Sequence, residues 1–423
     1  MPQDSNQQGG TDRRIDRRAV LQSASAVGLA GMAGCLGEIG GGTETAGGSG
    51  TLTYGVLSPI SGSYEGLGPG QRQGAELAIQ QLQDDDEFGF DVEAVYKDTG
   101  TTSSTATQVA EEAVQRDGAN YLMGAISSSV AGALNSFAAD NEVIYNPGGA
   151  AVPLTGSQCN KWVFRAETNT AQIAEAVAGY TVNNLGSDVW FHIADYAYGN
   201  SVLNRVERRM KNEHDDYNRV GLSKSELGAD NYDSFISQIQ NSDAQVAMLG
   251  MTGGDLIKFV SQAVSKGLKE DVTLVSPTMT FAVVRGALGS AAYGTYGGIR
   301  YIPGLDTGDN QSFVDAYTSE YDAPPDNFAR VGYQSIMMTA QGVQAAGTVD
   351  PAEVADTLAG MEVDSIFGAN RFRECDHQAM NPTWMGKVTE PDSGETGAVE
   401  AVQKLSGEEA LSGLPCSETD CSM

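Results

Sequence analysis

Apolar runs of strand length, each closed by a glycine or a polar loop and followed by a helix-length amphipathic segment, recur along this chain and restrict it to layered α/β architectures. The clearest instance spans residues 121–156. Residues 121–125 form a short apolar run containing a glycine. Ser127, Ser128 and Ser129 then offer hydroxyls and N-cap candidates where Val130, Ala133, Leu134, Phe137 and Ala138 begin a stripe at helical spacing. A helix N-terminus presents free N–H groups and the positive end of a dipole, which suits a carboxylate or another acceptor-rich group. Val143, Ile144 and Tyr145 form the next strand, and Asn146-Pro147-Gly148-Gly149-Ala150 lets backbone N–H groups approach a ligand without side-chain obstruction. Two such loops at the carboxyl ends of neighbouring parallel strands face one crevice. Serine and glycine are also ordinary turn residues of any α/β protein, so the rest of the chain has to carry the argument.

The alternation continues on both sides. A strand over 52–57 runs into the loop 58–68, and a helix then carries Ala75, Ala78, Ile79 and Leu82 on one face. A strand over 91–98, a polar stretch over 99–104 and a helix with Ala106, Ala110 and Ala113 lead into the 121 strand. A second series opens near Asn169 with a helix around Ile173. Strands follow over 189–194, near Val220, over 245–249 and over 273–276, with helices to about 212, around Phe235 and from Asp255 between them. After Gly297 the rhythm changes to a strand over 299–302, a helix over 311–321, a break at Pro324-Pro325 and a long helix over 327–346. Asp350, Pro351 and Glu353 open another helix as N-cap, N1 proline and N3 acid. Short strand-like pieces over 371–373 and 385–388 can complete either sheet. The pattern predicts an α/β chain of two doubly wound parallel-sheet lobes, joined by a multi-crossing hinge, with a ligand cleft between them.

The first fifty residues stand apart. Arg17-Arg18, an apolar small-residue run over 19–33 and the box Met32-Ala33-Gly34-Cys35 resemble a twin-arginine export signal closed by a lipoprotein cleavage site. Residues 1–34 are then the signal, and 35–50 a Gly-rich tether carrying lipid on Cys35, which anchors the body to the outer face of the cytoplasmic membrane. About 370 residues remain, enough for two lobes. No later stretch is long and apolar enough for a membrane helix. The 55 acidic against 25 basic residues give a net charge of −30, which argues against nucleic acid as a partner. The scarcity of lysine and the spread of acid resemble proteins of salt-loving archaea, whose surfaces work in brine. The run Asp84 to Glu87 reads as solvated surface charge rather than a calcium site. Cys159, Cys375, Cys416 and Cys421 allow three disulfide pairings, and sequence does not choose among them. No metal is expected, since no CxxC pair occurs and His192, His214 and His377 are scattered.

Several ordered marks make a family visible. They are Ser61-Gly62 with Gly68, the helix opening at Gly74, Lys97-Asp98, the Gly124 to Ser128 and Asn146 to Ala150 loops, Val163-Phe164-Arg165, Asp195 with Tyr198-Gly199, and Cys375-Asp376-His377-Gln378. Together they resemble the type I periplasmic substrate-binding proteins of ABC importers, in the branch that takes branched-chain amino acids, amides and urea. The resemblance implies lobes over 51–168 with 299–365 and over 169–298 with 366–405, followed by a C-terminal tail over 406–423. It implies no cofactor, a small-molecule solute as ligand, and permease and ATPase subunits as partners. It places ligand contacts at Ser127, Ser128, Gly148, Gly149, Ala150, Tyr198, Thr252, Thr278 and Phe328.

Two departures from that family bear on the ligand. Ala150 stands where its amino-acid binders carry threonine, and Thr278 where they carry the acid that pairs the α-ammonium. A buried ammonium without an acid is costly. A neutral amide, a urea-like compound or a carboxylate is therefore expected over an ordinary α-amino acid, unless Asp195 or Asp255 takes the missing role. No GxSxG, Walker A, HExxH or well-placed GxGxxG motif occurs, so no enzyme is expected. A ligand-binding sensor component of a signalling system is the alternative.

Overall fold

The computed structural model of the chain describes residues 50–392 and 397–423. The expected export signal, Cys35 and nearly all of the tether lie outside the described residues. Among these, no helix is long and apolar enough to cross a membrane.

Four parallel strands open the fold: β1 (Thr51–Ser58), β2 (Asp91–Asp98), β3 (Tyr121–Gly124) and β4 (Ile144–Pro147), in the order β2-β1-β3-β4. The helices between them are α1 (Gly68–Gln83), α2 (Ser103–Gln115) and α3 (Ser128–Asn141). Seven of the eight residues of β1 are buried, as an interior parallel strand requires, whereas β2 keeps polar residues exposed at the sheet edge. After α4 (Thr170–Asn184) a second sheet is built from β5 (Asp188–Ala194), β6 (Asn218–Ser225), β7 (Val246–Gly250), β8 (Thr273–Ser276) and β9 (Tyr296–Ile299). Its helices are α5 (Ala197–Glu213), α6 (Asp233–Gln240), α7 (Gly253–Ser265), the short α8 (Leu268–Asp271) and α9 (Ala282–Leu288).

The chain then returns to the first sheet through α10 (Asn310–Tyr321), α11 (Asn327–Ala346) and α12 (Pro351–Leu358). Asp326 caps α11 by accepting from Ala329 N, and Asp350 caps α12 by accepting from Ala352 and Glu353 N–H groups. α11 lies directly against α1. A Cβ at Gly74 would come within 1.9 Å of Ala329 O and one at Gly332 within 2.1 Å of Gln71 O, so the two backbones touch only because both residues are glycine. A hairpin of β10 (Glu362–Ser365) and β11 (Gly368–Arg371) precedes β12 (Thr383–Thr389) and β13 (Ala398–Leu405), and α13 (Gly407–Ala410) follows.

Three expectations need correction. The strand expected over 299–302 ends at Ile299, because Arg300 leaves the sheet for a buried ion pair. The piece expected over 371–373 is the hairpin strand β11, ending at Arg371, since Arg373 turns to pair with Asp376. The second sheet is also not purely parallel: in the order β13-β12-β9-β8-β7-β5-β6, β12 runs antiparallel to both β9 and β13. The cysteines pair as Cys159–Cys421 and Cys375–Cys416.

Two histidines sit in these cores without charge. His192 packs among Tyr232, Phe235 and Phe259, and His377 stacks on Phe164 with centroids 4.0 Å apart. Burial lowers their pKa values to about 3 and about 4. Above pH ~6.5 neither the folded nor the unfolded chain protonates them and their full contribution is present. As the pH falls from there toward 4, the unfolded chain binds two protons that the fold refuses, and stability drops by about 1.4 kcal/mol per pH unit for each ring. Urea midpoints of the wild type and His192→Gln at several pH values check this. The gap between the two proteins should narrow in acid, and a constant gap would contradict it.

Candidate functional site

The first wall of the crevice comes from the carboxyl ends of β3 and β4. Ser127 occupies the N-cap position of α3, yet its side chain makes no capping bond, so the first N–H groups of that 14-residue helix are not taken by a cap. Ser128 Oγ accepts from Ala151 N at 3.1 Å and ties the helix start to the loop after β4. Within that loop Gly148 N donates to Gly124 O, and Thr170 N donates to Ala150 O. A Cβ on Gly149 would lie 3.0 Å from Ser128 Cα, a close backbone approach, whereas one on Gly148 would meet the movable end of Gln71 at 2.3 Å. From behind, the fully buried Arg165 donates to the carbonyls of Gly149 and Ala151, fixing the loop so that its carbonyls face away from the helix start.

The second wall comes from the ends of β5, β7 and β8. Tyr198 lies in the first turn of α5 and clusters with Ala150. Thr252 stands at the N-cap position of α7 without a capping bond, and its buried Oγ1 has no partner among the described residues. Thr278 Oγ1 donates to Met251 O at 2.9 Å. Phe328, in the first turn of α11, meets Phe281 edge to face at 5.5 Å. All nine residues singled out from the sequence are buried; eight stand at strand-end loops or the helix starts that follow them, and Phe328 stands on α11.

The structure adds residues that sequence reasoning missed. The Tyr64 and Tyr196 hydroxyls are hydrogen-bonded to each other, joining the loop after β1 to the loop after β5. Asp98 shapes the first of those loops, accepting from Ile60 and Ser61 N–H groups and from Ser61 Oγ. Arg300, 2 % exposed, donates to the Tyr198 hydroxyl at 3.0 Å and to Glu167 at 2.7 Å, with its guanidinium 5.3 Å from the Phe281 ring centre. Burial pushes the Tyr198 phenol above its ordinary value, against the pull of that guanidinium. The two acids held in reserve differ. Asp195 is exposed and bound to Lys224 and Asn200, while Asp255 is buried with both oxygens on Gly228 N, toward Tyr232 and Lys258. Asp255 is thus the acid that shares the crevice, on its Tyr64 side.

An open pocket of about 330 Å³ lies elsewhere, between α4, α5 and β13, lined by Glu175, Tyr180 and Arg209 among others. It receives none of the strand-end loops that carry the residues singled out from the sequence.

Two α/β layers whose strand-end loops meet each other define a two-lobed fold of the solute-binding class. The chain belongs to the periplasmic binding protein family, whose model matches residues 51–396. It is 23 % identical over 331 residues to the leucine-, isoleucine-, valine-, threonine- and alanine-binding protein of Pseudomonas aeruginosa, covering 77 % of this chain and 86 % of that one. Its fold matches the crystal structure of a periplasmic binding protein from Burkholderia mallei with a TM-score of 0.81 and 24 % identity, over 88 % of this chain and 98 % of that chain. A solute-binding protein of an R. palustris ABC transporter, in complex with benzoate, matches with a TM-score of 0.76 and 22 % identity, over 88 % and 100 %.

Proposed function

We propose that the chain is the extracytoplasmic solute receptor of an ABC importer. It captures a small polar organic solute by closure of its lobes and delivers it to a membrane permease served by ATPase subunits. The observation that carries this reading is the bond between Tyr64 and Tyr196, which joins the loop after β1 in one sheet to the loop after β5 in the other. Hinge closure around a ligand produces that arrangement. The lipid on Cys35 would hold the body at the membrane surface, and that part rests on the sequence alone.

The solutes to consider are a branched-chain amino acid, an amide, a urea-like compound or a carboxylate. The P. aeruginosa relative is named for amino acids and the R. palustris protein holds benzoate, so a small carboxylate is common to both. The uncapped start of α3, the glycine loop and the free Thr252 hydroxyl suit such a group. Ser127, Ser128, Gly148, Gly149, Ala150, Tyr198, Thr252, Thr278 and Phe328 would line it.

A thermal-shift screen of the full chain against these classes tests the reading. A solute at a hundred times its Kd should add about 2.7 kcal/mol of stability. Ser128→Ala should weaken binding by roughly tenfold, the worth of one hydrogen bond to a charged group. A melting temperature that ignores every class would oppose the proposal.

A further inference from the structure

Charge inside the fold is balanced where charge outside it is heavily negative. The chain carries −30 overall, yet among the described residues four arginines and four acids are buried, and around Arg300 two guanidiniums crowd one carboxylate. Glu167, fully buried, lies between Arg300 and Arg330 at 2.7 Å from each, one carboxylate serving two cations. Arg165, equally buried, hydrogen-bonds to Gln378, Thr155 and two carbonyls among the described residues, with Asp376 and Glu167 as its nearby charges. Asp376 is bound to Arg373, and Asp326 is engaged in capping α11. Buried ions that lack a counter-charge are expensive, so an arrangement of this kind calls for an anion.

The cation that reaches the crevice is Arg300. It touches Tyr198, whose surroundings include Thr278, and its Nε is buried without a partner among the described residues. In the resemblance drawn above, the position of Thr278 is where an acid would meet an ammonium group. Here the groups around Tyr198 are two hydroxyls and a guanidinium, and Asp255 stands apart from them on the Tyr64 side, bound to Gly228 N. An ammonium would meet a like charge there, whereas a carboxylate would meet a donor.

We infer that the solute is a small organic acid without an ammonium group, and that Arg300 determines this specificity by supplying the buried positive charge of the site. This narrows the receptor reading above and rests on it. The guanidinium is already positioned by Glu167 and by the Phe281 ring, so recognition needs no side-chain reordering.

Calorimetric titration of the full chain with matched probes tests the inference: isocaproate, isocaproamide and leucine on one skeleton, benzoate and benzamide on another. Each member of a set has nearly the same shape, so the comparison isolates charge. The acid of at least one skeleton should bind about 100-fold or more tighter than its amide, and isocaproate tighter than leucine. Arg300→Lys should retain the preference for acid over amide at lower affinity, and Arg300→Gln should abolish it. Should either variant fail to fold, the preference of the wild type still decides. An amide that binds as tightly as its acid, or leucine as the tightest ligand, would overturn the inference and leave the receptor standing. Silence across the whole panel would overturn both.

Discussion

Glu167→Gln is expected to destabilise the fold by about 3–5 kcal/mol, the cost of removing one member of a buried ionic network and leaving the others uncompensated. Glutamine keeps the shape of the side chain and can still accept hydrogen bonds, so the loss isolates charge. Arg300 and Arg330, 2 % and 0 % exposed, would then face each other across a neutral amide. Against a total stability of roughly 5–15 kcal/mol, that is a large fraction. The urea midpoint should fall steeply while the slope of the transition stays the same. Arg330→Met in the same background should recover part of the loss, because it removes one stranded charge. A midpoint within about 1 kcal/mol of the wild type would mean that water or another carboxylate already neutralises the pair.

Loss of the Cys159–Cys421 disulfide should cost about 2–5 kcal/mol, and more than loss of Cys375–Cys416, because the closed loops span 262 and 41 residues. The first bond ties the end of the chain to the segment that follows β4. Between the bonds, Leu414 packs on Val152 and Ala171, Leu414 O accepts from Arg373, and Glu418 pairs with Arg208. The last residues therefore form a strap that touches elements next to both sheets, through a small apolar contact. Without the cysteines that contact has little to hold it. The double variant Cys159→Ser with Cys421→Ser, compared with its Cys375/Cys416 counterpart by thermal melting, measures the difference. Equal losses for the two pairs would show that loop length is not what matters here.

Much of the architecture was legible because its signals are local. α11 was expected over its observed span, since the proline pair Pro324-Pro325 ends the preceding segment. β8 was likewise placed at Thr273–Ser276 from a short apolar run alone. β9 was misplaced because Gly297 and Gly298 read as breakers, whereas in the sheet they admit close neighbours: a Cβ at Gly297 would meet Ser276 O at 2.3 Å. β13 was missed because Ala398–Leu405 is a half-exposed edge strand without clean alternation. At the site, the serine and glycine loops were visible because their chemistry sits in consecutive residues. Arg300, Glu167 and Tyr64 were not, because each gains its meaning from partners more than a hundred positions away. An arginine at a strand end reads as surface until the acid facing it is known. The disulfide pairing depended in the same way on where a strap crosses the fold.

The tyrosine pair over the crevice has a consequence for where such a protein can work. Nearly everything on the outside of this chain answers to its medium, since a heavily acidic surface feels both salt and protons. The latch does not. Two neutral phenols have no charge for brine to screen, and burial pushes the pKa of both well above its ordinary value, which keeps them neutral. The part of the contact between the two sheets that this hydroxyl pair supplies is set by competition with water, a contest whose terms stay the same in dilute and concentrated surroundings.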